Sequence, residues 1–328
     1  MGGTSAERDV SLASGLRVAG ALRAGGHTVT AVDTVRGILG AGEEAAMLSG
    51  RVVKTIPPDV AAMALLNRKL PASLSQLPET DVVFLALHGG TGEDGTIQAL
   101  LDLTGVPYTG SGHLASALAM DKDLSKHLFR RAGVPTADWL MAPTTIDEVA
   151  STIRFPVIVK PSKQGSTVGL SLVRDPALLA GAIADAFLHD DEVMVEAFVP
   201  GRELTVGILG GVALPVGEII PMKELYDYEC KYTPGMAREI FPAELTTEQT
   251  TQVQHLAKLA FAALKLGGCA RIDFRMTPGG DFFCLEANTL PGMTELSLIP
   301  QAAAAAGISF PVLCEQIAQL ALSSRKSG

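Results

Sequence analysis

The chain has 328 residues, 47% of them hydrophobic and 19% charged, with a formal net charge of −9. That length suggests two or three domains around a sizeable core, and the composition is that of a soluble globular protein. An acidic balance without any Lys/Arg cluster argues against nucleic acid or an anionic membrane as partner, but admits small anions if the few basic residues gather at one site.

In chain order, Gly2-Gly3-Thr4-Ser5-Ala6-Glu7 reads as a glycine-rich turn with no strand before it. Val10 to Ala24 has helical periodicity, Thr28–Val32 is strand-like, and Val82–Leu87 is a continuous apolar run typical of a buried parallel strand. The run ends in His88-Gly89-Gly90-Thr91-Gly92-Glu93-Asp94-Gly95, ahead of an amphipathic Thr96–Leu103. A turn of that kind lies at the carboxyl edge of an α/β sheet, where ligands bind.

The middle third opens with a predicted helix Ser116–Ala132, stopped by Gly133-Val134-Pro135. Strands Val157–Val159 and Gly169–Val173, helix Pro176–Leu188 and strand Glu192–Phe198 follow. The last third predicts strands near Leu204–Leu209 and Ala213–Ile220, an irregular stretch 221–244, helix Thr247–Leu266, a hairpin, and a final helix near Phe310–Ser323. Cys230, Cys269, Cys284 and Cys314 lack CxxC or zinc spacing, which predicts free buried thiols in a reducing cytoplasm. The alanine run 302–306 is too short to span a membrane.

The hairpin is the most informative segment. Alternating runs flank Gly279-Gly280, and a turn centred there sets Asp273 opposite Glu286 and Arg271 opposite Asn288. Those four side chains share one face; Ile272, Phe274, Met276, Phe283, Leu285 and Ala287 share the other as a core face. Opposed carboxylates repel unless a cation intervenes, and oxygen-only donors suit Mg²⁺ with its phosphates. The alternative is a solvated polar face paired with Arg271 and Arg275.

Four further motifs are ambiguous singly. Lys160-Pro161-Ser162-Lys163-Gln164-Gly165-Ser166-Thr167-Val168-Gly169 joins two strands, so it is either a cap over phosphates or a surface hairpin. Glu196 and Glu203 could belong to a site or merely solubilise. Tyr226, Tyr228 and Tyr232 cluster in the irregular segment, favouring a binding loop. The backbone near Gly292, in Asn288-Thr289-Leu290-Pro291-Gly292-Met293-Thr294, could form an oxyanion site.

Together, Lys-Pro-x-x-x-Gly-Ser-x-x-Gly, Arg-Ile-Asp, Glu-x-Asn-x-x-Pro-Gly-Met-Thr and His-Gly-x-x-Gly-Glu-Asp-Gly resemble the ATP-grasp superfamily, and within it the D-alanine–D-alanine ligase family. The resemblance implies an α/β and α+β chain: a Rossmann-like N-terminal domain over residues 1–110, then a two-part ATP grasp, central over 111–195 and C-terminal over 196–328. It implies ATP-dependent ligation of two D-alanine molecules through an acyl phosphate, in the cytoplasm, by a homodimer. Lys122, Lys160 and Lys231 would contact ATP phosphates, Glu196 the adenine and Glu203 the ribose. Asp273, Glu286 and Asn288 would hold two Mg²⁺ ions, with Mn²⁺ as substitute. Glu7 would bind the first D-alanine's ammonium, with His88 near its carboxylate. Arg271 and the Gly292 amide would hold the oxyanion, and Ser297 with the Leu298 amide the second carboxylate. Glu7, Ser166 and Tyr232 would pin a water-excluding loop.

One departure stands out: family members carry a short apolar strand where this chain has Met1, which raises the expectation of a misplaced start codon. Competing readings are another carboxylate–amine or depsipeptide ligase, and an ATP-binding protein whose catalysis has decayed. The Tyr-x-x-Lys-Tyr loop favours an amine acceptor over D-lactate.

Overall fold

The computed structural model describes residues 1–5, 7–49, 80–165, 167–222, 235–294 and 296–324. The N-terminal third opens with α1 (Arg8–Ala24), as its periodicity predicts, and continues with β1 (Val32–Asp33), β2 (Gly37–Ile38) and α2 (Ala41–Ser49). β1 and β2 pair antiparallel, and Thr28–Ala31 does not join them. Among the described residues the predicted strand Val82–Leu87 forms no ladder either: it makes one parallel bridge, Val83 to Tyr108. Elsewhere side chains take the role of a neighbouring strand, Thr109 Oγ1 accepting Leu85 N–H (3.0 Å) and Ser11 Oγ donating to Ala86 O. The run still delivers His88 and its glycine turn to the start of α3 (Thr96–Thr104).

The single helix expected over Ser116–Ala132 is two, α4 (His113–Met120) and α5 (Lys122–Arg131). Asp121 breaks it. Its backbone is extended, and its carboxylate accepts the Leu124 N–H (3.0 Å) as the cap of α5. Lys122 thereby becomes the first residue of α5, and Lys122, Ser125, Lys126 and Phe129 form its buried face.

A four-stranded antiparallel sheet follows, in the order β3 (Trp139–Met141), β6 (Val193–Ala197), β4 (Val157–Pro161) and β5 (Ser171–Val173). Helices α6 (Ile146–Thr152) and α7 (Leu179–Phe187) contribute Val149, Leu179 and Ala186 to a core with Val157, Val159, Val193 and Val195. The remaining strands are β7 (Arg202–Leu209), β8 (Val212–Ala213), β9 (Gly217–Pro221) and β10 (Ala237–Ile240), then β11 (Cys269–Met276) and β12 (Phe282–Asn288). They form the second sheet, β10-β9-β7-β11-β12, with β8 beside β7. The predicted strand Ala213–Ile220 is split into β8 and β9, with Pro215 between them unable to donate to a ladder. Helix α8 (Thr247–Ala263) starts on a Thr246/Gln249 capping box and lays Val253, Leu256, Ala257 and Ala260 on this sheet. The alanine run belongs to α9 (Leu298–Ala305), not anticipated as a helix, before α10 (Phe310–Ser324).

The hairpin corrects one detail and keeps another. Arg271 pairs with Asn288 and Asp273 with Glu286, as expected, but Phe274 faces Cys284 and Met276 faces Phe282. Leu285 is the extra residue of a bulge. The turn runs from Thr277 to Asp281, closed by Thr277 N–H on Asp281 O (2.9 Å), so the glycine pair is not a two-residue loop. A one-residue slip swaps faces. Phe282 and Cys284 are therefore buried in the core, while Phe283 and Leu285 leave the face assigned to them.

Candidate active site

The second sheet and the four-stranded sheet enclose a cavity lined by Lys122, Lys160, Glu196, Glu203, Arg271, Asp273, Glu286 and Leu298. Its apolar wall includes Ile158, Phe198, Ile219 and the bulged Leu285. Eight of the residues singled out in the sequence thus meet around one space, although they come from strands and helices far apart in the chain.

On the hairpin side, Asp273 is buried and densely bonded. Arg271 donates Nε to both carboxylate oxygens (2.9 and 3.1 Å) and Nη2 to Oδ2 (2.9 Å). Thr205 Oγ1 and Asn288 Nδ2 donate to the same carboxylate at 2.7 and 3.0 Å. Glu286 pairs with Lys122 Nζ at 3.3 Å, and Lys122 also donates to Gln164 O (2.8 Å). Arg275 turns away to Glu203 (3.2 Å) and Val199 O (3.1 Å). Of the solvated-face alternative, the pairing with Arg271 is present, but the face is not solvated at Asp273, which is 7% exposed, and Arg275 pairs with Glu203 instead.

The donor set fits a hard cation. Asp273 and Glu286 present two carboxylates from paired positions, and Asn288 keeps an amide oxygen once its Nδ2 is spent on Asp273. Among the described residues no group of three or more His, Cys, Asp or Glu gathers, so an ion here would complete its shell from Asn288, water and phosphate.

Opposite the hairpin lies a buried charge cluster that the sequence reading missed in part. Glu196 accepts Lys160 Nζ on Oε2 (2.7 Å) and Lys126 Nζ on Oε1. Lys126 donates as well to Thr136 Oγ1 (2.8 Å), which donates to Cys284 O (2.8 Å) beneath the hairpin. Burial would raise the Glu196 carboxyl, but the two ammonium groups overcome it and hold it at about 2. Burial, opposed by Glu196 and reinforced by Lys160, lowers Lys126. Lys126 was detectable: it stands one turn from Lys122 on the face that also carries Phe129, and a lysine on an apolar face wants a buried partner.

The chain leaves the hairpin through Leu290-Pro291-Gly292-Met293 into α9. Ser297 caps that helix, and its hydroxyl accepts Thr294 N–H (2.9 Å). Leu298 and Ile299 open the helix with amides lacking intrahelical acceptors, and Pro300 has no N–H at all. The amide of Gly292 has no partner among the described residues. A β-carbon at Gly292 would lie 2.7 Å from Ser297 Oγ, so the turn tolerates only glycine without shifting.

His88 reaches this turn from the N-terminal third, and Glu7 lies beside the glycine that follows His88. His88 is buried and bonds Leu290 O through Nδ1 (2.8 Å) and Ser14 Oγ through Nε2 (3.2 Å). The Glu7 carboxylate runs close to two glycines: added β-carbons at Gly89 and Gly165 would lie 3.0 and 3.3 Å from its Oε2. Gly165 precedes Ser166. Ser166, Lys231 and Tyr232 lie outside the described residues. Glu93, unremarked in the sequence beyond its motif, accepts Gly89 N–H (3.1 Å) and Leu290 N–H (3.2 Å). Burial, then the charge of Glu7, pushes it up to about 7.

Family models match on both sides of the site: "D-ala D-ala ligase N-terminus" over residues 1–111 and "D-ala D-ala ligase C-terminus" over 128–319. The chain is 43% identical to the D-alanine–D-alanine ligase of Citrifermentans bemidjiense, over 98% of this chain and 94% of that one. To the enzyme of Aquifex aeolicus it is also 43% identical, over 95% and 96%. Among solved structures, the D-alanine–D-alanine ligase from Coxiella burnetii superposes with a TM-score of 0.80 at 28% identity, covering 99% of this chain and 93% of that one. The Bacillus anthracis enzyme complexed with ATP gives 0.67 at 34% identity, over 80% and 84%.

Proposed function

The chain belongs to the D-alanine–D-alanine ligase family, and from that premise we propose how its own residues carry out the reaction. Its function is the ATP-dependent ligation of two D-alanine molecules to D-alanyl-D-alanine for peptidoglycan precursor synthesis. A carboxylate oxygen of the first D-alanine attacks the γ-phosphorus of ATP, and ADP departs. The amine of the second then attacks the acyl carbon, loses a proton, and phosphate leaves with the electrons of the broken C–O bond.

The protein is asked for position and charge more than for covalent chemistry. Lys122 and Lys160, anchored by Glu286 and Glu196, supply fixed cations for phosphate oxygens, with Lys231 as a third. The apolar wall at Ile158, Phe198 and Leu285 suits the adenine ring, with Glu196 and Glu203 at the adenine and ribose edges. Asp273, Glu286 and Asn288 would hold Mg²⁺, two ions with Mn²⁺ as substitute, which when bound neutralises phosphate charge. Glu7 receives the first ammonium, while Arg271 and the Gly292 N–H face the oxygen that becomes negative on amine attack. Ser297 and the Leu298 amide, at the positive end of α9, receive the second carboxylate. Glu7, Ser166 and Tyr232 pin the loop that keeps water from the acyl phosphate.

Location in the cytoplasm, a homodimer through the N-terminal third, and division near residues 110 and 195 complete this reading on family likeness. Among the described residues no single helix is long and apolar enough to cross a membrane.

The observation that carries the proposal is the meeting of Lys122, Lys160, Asp273 and Glu286 around one cavity. The test is ADP release with product mass. ADP forms only with D-alanine present, the product has the dipeptide mass, D-lactate does not replace the second substrate, and chelation abolishes turnover until Mg²⁺ is returned. ATP bound without D-alanine-dependent ADP release would sink it.

A further inference from the structure

The turn that presents the Gly292 N–H is gripped by three side chains from the N-terminal third. His88 holds Leu290 O, Glu93 holds Leu290 N–H, and Ser14 Oγ accepts Met293 N–H (3.1 Å). The direction of each bond follows from chemistry. A carbonyl only accepts, so the His88 proton sits on Nδ1, Nε2 is the acceptor, and Ser14 must donate to it. The lone pair left on Ser14 then takes Met293 N–H. Each proton in this relay has a single place. Burial lowers His88, which keeps the ring neutral as the relay requires.

Glu93 closes the arrangement from the other side. Its second oxygen holds Gly89 N–H, so the residue beside His88 is tied to the same carboxylate as Leu290. Both the N–H and the C=O of Leu290 are thus fixed by the 88–93 turn. Pro291 has no N–H, and Met293 gives its own to Ser14. In this turn the Gly292 amide is the one N–H without a partner among the described residues, flanked by anchored peptides.

We propose that Ser14, His88 and Glu93 form a clasp that positions the Gly292 N–H for the oxyanion of the ligation step. The proposal rests on the function above, and it makes His88 a positioning residue rather than a ligand of the substrate carboxylate. Both ring nitrogens already have protein partners, and the ring is 5% exposed. An oxyanion donor acts only when it lies within hydrogen-bond reach of the position the charged oxygen will occupy, and a displacement of about 1 Å costs on the order of 100-fold. A turn rotating freely about Leu290 could not meet that tolerance.

The clasp serves the second chemical step, because the acyl carbon becomes tetrahedral only when the amine adds. Glu93→Gln keeps size but leaves one of the two N–H groups without its acceptor, and Ser14→Ala breaks the relay at the opposite end. In both variants dipeptide formation slows about 10- to 100-fold. D-alanine-dependent positional isotope exchange in ATP, which reports acyl phosphate formation, changes less than about twofold, as does KM for ATP. Affinity for a phosphinate mimic of the tetrahedral adduct falls with the ligation rate.

Exchange and ligation that decline in parallel, or an unchanged affinity for the phosphinate, would overturn the clasp. If Glu93→Gln fails to fold, Ser14→Ala carries the same readouts. Absence of D-alanine-dependent ADP from the unaltered chain would instead overturn the ligase reading itself.

Discussion

At Gly292 one added carbon tests the oxyanion assignment. The β-carbon of an alanine there meets Ser297 Oγ, a hydroxyl already engaged by Thr294 N–H and by Thr294 Oγ1 at 2.8 Å. Relief requires moving either the Gly292 peptide or the Ser297 side chain, the two groups proposed for the oxyanion and for the second carboxylate. Gly292→Ala is expected to reduce ligation about 100-fold, the scale of losing one oxyanion donor. Its melting temperature should shift by only a few degrees (~1 kcal/mol). Steady-state kinetics beside a thermal melt measures both, and near-normal ligation would remove the Gly292 amide from the site. The sequence could nominate this glycine, since Asn-x-x-Pro-Gly-Met-Thr is written in it. It could not reveal Ser14, because a serine inside a helical pattern has no mark of its own until the fold sets it against Met293.

At the scale of elements, the hairpin shows how a right pairing can follow from a wrong turn. The glycine pair suggested a symmetric loop, which places Asp273 against Glu286. The observed turn shifts the register near the tip, and the bulge at Leu285 shifts it back before the carboxylates are reached. Bulges have no composition signal, so the faces of Phe282, Phe283, Cys284 and Leu285 were illegible. The consequence is testable. Leu285 lines the cavity instead of the core, so Leu285→Ala should raise KM for ATP about fivefold, through roughly 1 kcal/mol of lost apolar contact. Urea unfolding should change by less than about 1 kcal/mol, whereas a core leucine cut to alanine costs roughly 2–5 kcal/mol. A large stability loss with unchanged KM would reverse this assignment.

Other elements were legible where the pattern was local and lost where partners were distant. α1 and α3 follow from periodicity and α8 from periodicity with its capping box, but Val82–Leu87 depended on a neighbour that no local pattern specifies. The break at Asp121 was visible in principle, since Asp followed three residues later by Leu124 N–H is ordinary N-cap chemistry.

Across the whole molecule, the net charge of −9 conceals a cationic interior site. Lys122, Lys126, Lys160 and Arg271 each pair with a buried or half-buried carboxylate. Two of these pairs, Lys122–Glu286 and Lys126–Glu196, tie α5 to the hairpin and to the four-stranded sheet, so the packing of these elements depends on ionisation. Glu196 sets the sign. Its carboxyl is held at about 2 against an ordinary 4.5. Its contribution is full above about 4.5 and is lost as pH falls towards about 2, roughly 3 kcal/mol in scale. Lys126→Met removes one of its two cations and should destabilise the fold by about 3 kcal/mol near neutrality. It should also flatten the loss of stability between pH 4.5 and 2. Urea denaturation across that range measures both, and an unchanged acid limb would show that Lys126 does not control Glu196.

The bulge at Leu285 also separates two registers, one at the tip of its hairpin and one at the carboxylates. Register is restored before Asp273 and Glu286 meet, so the offset at the tip does not change which residues oppose each other at the carboxylates. The tip itself is exposed at Pro278, Gly279 and Asp281. It is therefore a natural graft point, where an epitope or a fluorophore-bearing loop can be spliced in to report on the neighbouring site without redrawing it.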